Sequence, residues 1–324
     1  MQLPPALRKA IEQELKGCDG ARLRAASARL TECYREGTAS GALSNIALSN
    51  DIERAAYLAV RLPATFAATV AALTWAREAC GSEFRTVLDL GSGPGTALWA
   101  ALQVFPSLER VTAFERDPSL IEIARRLSAC AENPALRETN WLQGDLTAAI
   151  PEGTWDLVIC SYALNELRET RRADFISKAW VRTGKLLVVI EPGTKMGFAN
   201  ILDLRARLLA EGATIAAPCP NSPSCPMSGS NDWCHFAARV ERTTEHRRLK
   251  NATLGHEDEK FSYLAFSRRE LSAPNARIVR HPKIFSGYTH LTLCREGEIA
   301  NTTVTRSKKD DWRRLKRLGW GDGW

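Results

Sequence analysis

Nine cysteines occur in this chain of 324 residues, and four are placed to do chemistry. Cys219, Cys225 and Cys234 fall within "PCPNSPSCPMSGSNDWCHF", with five and eight residues between successive thiols; fifty-nine more precede Cys294. Prolines at 218, 220, 223 and 226 fix φ and remove backbone donors, so the stretch forms neither a regular helix nor a regular strand. A loop of that kind needs something to hold it against chain entropy. Four thiolates on one metal centre would do so, since ligation contributes about 10 kcal/mol or more in zinc peptides. The spacing lacks the tight knuckle of structural zinc sites and is not a ferredoxin run. It points to a metal without naming which one. His235, beside Cys234, reads as a surface or capping histidine. Cys18, Cys33, Cys80, Cys130 and Cys160 are scattered through apolar patterns and read as small buried hydrophobes.

A second group lies earlier. "VLDLGSGPGTALWA", residues 87–100, sets Gly91, Gly93 and Gly95 between a strand pattern and a helix pattern. A dinucleotide turn wants a third glycine at 96, and position 96 is Thr. The pattern D-x-G-x-G-x-G lets bare backbone approach a ligand that has no pyrophosphate to cradle. The pattern resembles the first motif of the S-adenosylmethionine (SAM) methyltransferases, which implies SAM as the cofactor. The resemblance implies that Asp89 addresses the ammonium, that Glu115 in "TAFERD" accepts both ribose hydroxyls, and that Asp145 in "QGDL" stands where such enzymes read the adenine amino group. Each acid alone reads as a solvated loop carboxylate; three in register at successive strand ends support a SAM-type fold.

The methyl acceptor leaves a fainter trace. "CSYALNEL" lacks the N/D-P-P-Y signature of amino-methylating enzymes, and Cys160 lacks the flanking of a cytosine-attacking thiol. Asn165 and Glu166 stand where an acceptor could lie, although a helix cap is the plainer reading. Placing acceptor and methyl in line needs no acid or base, and no catalytic residue is assigned.

These groups need elements to hold them. Residues 1–80 read as a helical N-terminal region; "AAYLAVRLPATFAATVAALTWA" reads as buried helix kinked at Pro63, not as a membrane span. From residue 81 to 212, strand patterns alternate with helix patterns, which predicts an α/β fold: a SAM-methyltransferase-like, Rossmann-like parallel sheet covered on both faces. Residues 213–260 form the cysteine-rich insert, 261–305 late strands completing the core, and 306–324 a basic tail. The N-terminus shows no secretory pattern, so a cytoplasmic protein without a membrane role is expected.

The net charge of +7 favours a polyanionic partner. "RSKKDDWRRLKR", residues 306–317, carries seven bases against two acids, with Trp312, Trp320 and Trp324 interleaved around and after it. An isolated charge run is usually a solvated face.

"AYLAVRLPATFAA", "VLDLGSGPGTA", "YALNEL", "VIEPGT", "APCPNSPSCPM", "DWCHF", "EDEKFSYL" and the closing "WGDGW" appear in one order. Together they resemble the Rsm-twenty-two or methyltransferase-like-seventeen family over about residues 50–324. Those proteins are linked to assembly of the small ribosomal subunit, chiefly in mitochondria, with bacterial relatives, and this chain is read as a bacterial member. The resemblance implies a [4Fe-4S] cluster on Cys219, Cys225, Cys234 and Cys294, with zinc the alternative from spacing alone. It also implies binding to small-subunit ribosomal RNA and no DNA. The basic tail then becomes an RNA contact, with its tryptophans available to stack on an unpaired base. Asn221 departs from a C-P-H sequence of the family without removing a thiol. Three readings follow: a ribosomal RNA methyltransferase, a non-catalytic assembly factor on the same scaffold, and, more weakly, a zinc-stabilised small-molecule methyltransferase.

Overall fold

The structure, a computed structural model, describes residues 1–36, 48–81, 83–220, 224–250, 253–271 and 274–324. Asn221 lies outside the described residues. The chain opens with helices α1 (Pro5–Glu14), α2 (Gly20–Glu36), α3 (Asp51–Val60) and α4 (Leu62–Cys80). Asn50 caps α3 by accepting from Glu53 N–H, while Pro63 occupies the first turn of α4, where its missing N–H costs nothing. The two helices bend by 46° at Arg61. Among the described residues no single helix is long and apolar enough to cross a membrane. The apolar run in α4 is buried from Leu62 to Val70 and packs on the sheet, as expected of a core helix.

The alternation that follows is β1 (Thr86–Leu90), α5 (Thr96–Val104), β2 (Arg110–Glu115), α6 (Pro118–Ala129), α7 (Pro134–Arg137), β3 (Asn140–Gln143), β4 (Trp155–Ser161), α8 (Glu169–Val181), β5 (Thr183–Pro192), α9 (Lys195–Ala210) and β6 (Thr214–Ala217). Then come β7 (Phe236–Glu241), α10 (Thr244–Leu249) and β8 (His256–Ser267). The strands lie in the order β3-β2-β1-β4-β5-β8-β6, and β7 also pairs with β8. β1 to β5 are parallel, whereas β8 runs antiparallel to all three of its neighbours. The centres of β1, β4 and β5 are buried, as expected of parallel strands covered by helices on both faces.

β6 and β7 share one edge of β8: Ala217 faces Ala265, and Phe236 faces Phe261. The cysteine loop is the excursion between them. It leaves the sheet at Pro218 and rejoins it at Phe236, where Ser262 Oγ on β8 donates to Cys234 O (2.8 Å).

Of the late strands expected to complete the core, β8 lies in the large sheet. β9 (Arg277–Ile278), β10 (Lys283–Ile284), β11 (Tyr288–Arg295) and β12 (Glu298–Thr305) form a separate sheet around β11, backed by α11 (Lys309–Leu315). Its small core is Ala276, Ile278, Leu291, Leu293, Val304 and Leu315. β11 alternates inward and outward residues, and its inward set has only this core to fill.

The tail is not a free arm. Trp75 Nε1–H donates to Asp322 Oδ1 (3.0 Å), Trp324 N–H donates to Ala276 O (2.8 Å), and Gly321 lies against the Trp75 indole. Trp320 sits edge-on to His235 and His281, Arg306 lies over the Trp312 ring, and Arg314 lies over the Trp324 ring. The three tryptophans are therefore packing anchors, which corrects the expectation that they offer open faces to a base. His235 is likewise buried and stacked on Trp233, not a surface group. Cys160 is buried, but Cys130 is exposed at the end of α6, contrary to its reading as a hydrophobe.

Candidate functional site: a strand-tip cleft and a four-thiol cavity

A sheet whose chain order reverses between β1 and β4 leaves a crevice at the carboxyl ends of its strands. Here the crevice is a cleft of about 820 Å³, of the size that holds a nucleoside ligand. Asp89, Gly91, Gly93, Glu115 and Asp145 all line it. Gly95 closes the turn behind them, with φ +80° and its Cα facing Trp141. Gly91 has φ +73°, and a Cβ there would come within 2.5 Å of the Ala163 Cβ. The turn is thus backbone only, for reasons of both conformation and space.

The three acids differ in what they already hold. Asp89 is fully buried, and neither of its carboxylate oxygens has a hydrogen-bond partner among the described residues. Burial, and next the Glu115 charge, raise its carboxyl to about 8. Glu115 pins the glycine turn: Oε2 accepts from Gly93 N–H (2.8 Å), and Oε1 accepts from Arg116 N–H (2.8 Å) and Asp117 N–H (2.9 Å). A carboxylate has about four acceptor positions, so Oε2 keeps one. Asp145 Oδ1 accepts from Thr147 N–H and Oγ1–H, both at 2.7 Å, which holds its carboxyl below the usual range. Its Oδ2 stands 4.0 Å from Arg116 Nη1.

The acceptor side contains groups that sequence reading missed. Tyr162, the residue after β4, has φ +59°, and its hydroxyl donates to Glu259 Oε1 (3.2 Å). Glu259 also takes both arms of Arg61, at 2.9 and 3.2 Å. Burial, with the Glu259 charge next, pushes the Tyr162 hydroxyl well above its ordinary value, so it stays protonated. Glu166, Arg168 and Arg171 line the rim. Asn165 instead turns inward: its N–H donates to Glu191 Oε1 (3.3 Å), and Asn200 Nδ2–H donates to Glu191 Oε2 (2.9 Å). Asn165 is thus neither a cleft group nor a cap. Glu191 is fully buried and raised to about 7 by that burial. These partners lie up to 198 positions apart in the chain, so no local pattern announces them.

Cys219, Cys225, Cys234 and Cys294 line one cavity between the edge of the large sheet and β11. Phe198, Ile201, Met227 and Val279 give much of the rest of its wall, Arg205, Ser262 and Tyr263 also line it, and among the described residues no carboxylate or imidazole does. Burial is the largest cause that raises the thiols of Cys219, Cys234 and Cys294, the last to about 12. Neighbouring thiols raise them further, and Arg205 and Arg277 pull Cys219 and Cys294 back. The cavity measures only about 30 Å³, and among the described residues no three metal-type ligands stand at holding distance. Four soft donors share a dry site, at a spacing wider or less convergent than ligation requires. As a donor set they suit a soft metal or an iron–sulfur cluster and not a hard cation.

The strand order, the reversed β8 and the glycine turn with its acids define an α/β protein of the SAM-dependent methyltransferase fold. The chain belongs to the family described as "Mitochondrial small ribosomal subunit Rsm22", whose model matches residues 51–324. Among relatives, the human "Ribosome assembly protein METTL17, mitochondrial" is 26% identical over 292 residues, covering 82% of this chain and 61% of that protein. The "Rsm22-cox11 tandem protein 2, mitochondrial" of Schizosaccharomyces pombe is 30% identical over 202 residues, 54% of this chain and 26% of that protein. The chain thus spans about three-fifths of the human relative and a quarter of the yeast one. Similar solved structures include the magnesium protoporphyrin IX methyltransferase of Synechocystis with bound SAM (TM-score 0.42, 14% identity, 64% of this chain and 80% of that one). Another is the plantazolicin methyltransferase BpumL in complex with SAH (TM-score 0.46, 8% identity, 75% and 99%).

Proposed function

We propose that this protein binds SAM in the strand-tip cleft, carries a [4Fe-4S] cluster on Cys219, Cys225, Cys234 and Cys294, and acts on or docks to small-subunit ribosomal RNA during ribosome assembly. The observation that carries the SAM reading is Asp89: a buried carboxylate with two unpartnered oxygens at a nucleoside-sized cleft. An unpaired buried charge is costly, and a cationic ligand offsets that cost. The remaining acceptor position of Glu115 suits a ribose hydroxyl, and Asp145 Oδ2 suits an amino group.

SAM, when bound, supplies an electrophilic methyl carbon. The chain's own part is to bind, orient and exclude water; Tyr162, protonated and held by Glu259, is not a base. Transfer here rests on placement. The second reading is a non-catalytic assembly factor that keeps the SAM cleft.

The soft, dry donor set supports the cluster reading. Bound there, a cluster would cross-link the loop to β11; zinc remains the rival and is separated by its lack of colour. The name of the human relative and the description of the family support the ribosomal partner.

Calorimetry with SAM, followed by transfer of labelled methyl groups to small-subunit particles from a deletion strain, tests the reading. SAM binding with transfer supports the enzyme, and SAM binding without transfer selects the scaffold. No SAM binding at all sinks the cleft assignment.

A further inference from the structure

We propose that the tip of the second sheet is a stacking platform for an unpaired nucleotide of RNA. The proposal rests on the ribosomal RNA reading above and adds where a base is held. Phe285 and Tyr288 bracket Ser286-Gly287 in the turn from β10 to β11, and Phe285 N–H donates to Tyr288 O (2.9 Å). Their rings stack with centroids 4.7 Å apart and planes 17° from parallel. His290 meets both rings edge-on, at 5.4 and 5.0 Å.

This cluster faces solvent. Phe285 is 44% exposed, Tyr288 37% and Ile284 78%. Of the seven large hydrophobics exposed among the described residues, three fall in this five-residue span, which marks a patch and not scatter. The period of β11 enforces it. Thr289, Leu291 and Leu293 are buried on the inner face, so Tyr288 and His290 must point outward.

Charge decides what covers the patch. Register places Thr305 opposite Tyr288, and Arg306 N–H donates to Gly287 O (3.1 Å). The basic segment therefore starts where the aromatic cluster ends. From Arg306 to Arg317 all seven basic side chains are exposed, against two acids. Lys283, opposite His290, is exposed and has no carboxylate partner among the described residues. A protein-binding core would be depleted in lysine, and a duplex would meet phosphate contacts without an open base to stack. Aromatic faces bordered by a row of cations fit single-stranded RNA, with a base on the Phe285–Tyr288 pair and phosphates on Arg306, Lys308 and Lys309.

The test uses the full chain and a short single-stranded RNA carrying 2-aminopurine, titrated over a range of salt. Phe285→Ala with Tyr288→Ala weakens binding about tenfold or more and abolishes the quenching of the fluorescent base. The slope of log affinity on log salt stays as in wild type. Phe285→Tyr and Tyr288→Phe retain affinity. Arg306→Gln with Lys308→Gln and Lys309→Gln lowers the salt slope and leaves quenching at saturation intact. Because the platform residues are exposed, the alanine variant keeps the wild-type melting temperature. Wild-type RNA binding that the alanine pair leaves unchanged overturns the platform and spares the RNA reading. Undiminished RNA binding with lost binding to ribosomal proteins assigns the surface to protein and also overturns it. A wild-type chain that binds neither RNA nor small subunits overturns both.

Discussion

Arg277 reaches from β9 to the loop that carries Cys219: its Nε–H donates to Pro218 O at 2.7 Å, one residue before that cysteine. The same guanidinium donates from Nη1 to Gly321 O at 2.9 Å. One buried side chain, 4% exposed, thus ties the cysteine loop, the second sheet and the C-terminal tail together. Arg277→Met removes both bonds and leaves two buried carbonyls unsatisfied, at a cost of about 2–4 kcal/mol. Denaturant unfolding measures it. A midpoint equal to wild type would show that the tail and loop are held by packing alone.

Gly321 tests the tail from the other side. It has φ +103°, and a Cβ there would stand 2.1 Å from the Trp75 indole. Gly321→Ala cannot keep that contact, and the Trp75–Asp322 hydrogen bond opens with it. The expected outcome is a melting temperature lower by several degrees and faster proteolysis after Leu315, with SAM affinity unaltered. Wild-type protease resistance would contradict the anchoring role.

Asp89 carries a pH signature. Its carboxyl ionises near 8 in the free protein because it is buried beside Glu115. A cationic ligand takes the ionised form, so SAM affinity climbs between about pH 6 and pH 8, and binding near neutrality releases a proton. Above about pH 8 the ligand's own amino group begins to lose its charge, and the rise ends. Asp89→Asn weakens binding about tenfold to a hundredfold and abolishes the proton release. Calorimetry in buffers of different ionisation enthalpy reads both effects; a pH-independent wild-type affinity would remove Asp89 from the cation site.

The cleft and the cavity share no lining residue, and Cys294 lies on a strand that forms no part of the cleft. Cys294→Ser therefore loses metal and thermal stability while SAM affinity stays within about twofold, since distant sites behave additively. A parallel loss of both would mean that the cavity and the cleft act as one unit.

What could be read in the sequence was local. Asp89, Glu115 and Asp145 each close a strand pattern with an acid, and the parallel sheet then brings three strand ends side by side. The proline-rich loop declared itself by composition, and Cys294 by the end of an alternating strand. Tyr162, Glu259 and Arg61 could not be read, because antiparallel β8 carries Glu259 back beside residues nearly two hundred positions earlier. Trp320 and Trp324 misled for the same reason. Next to a run of Lys and Arg they look like free aromatic groups, and only the contacts to His235, His281 and Ala276 show them to be anchors.

The central claim joins a methyltransferase fold to an iron–sulfur site, and the metal and sulfide content of the anaerobically purified full chain tests it most directly. The account predicts brown protein with about four irons and four acid-labile sulfides per chain, falling to background in Cys219→Ser. A colourless protein that carries zinc, or an iron content that Cys219→Ser leaves unchanged, would contradict it.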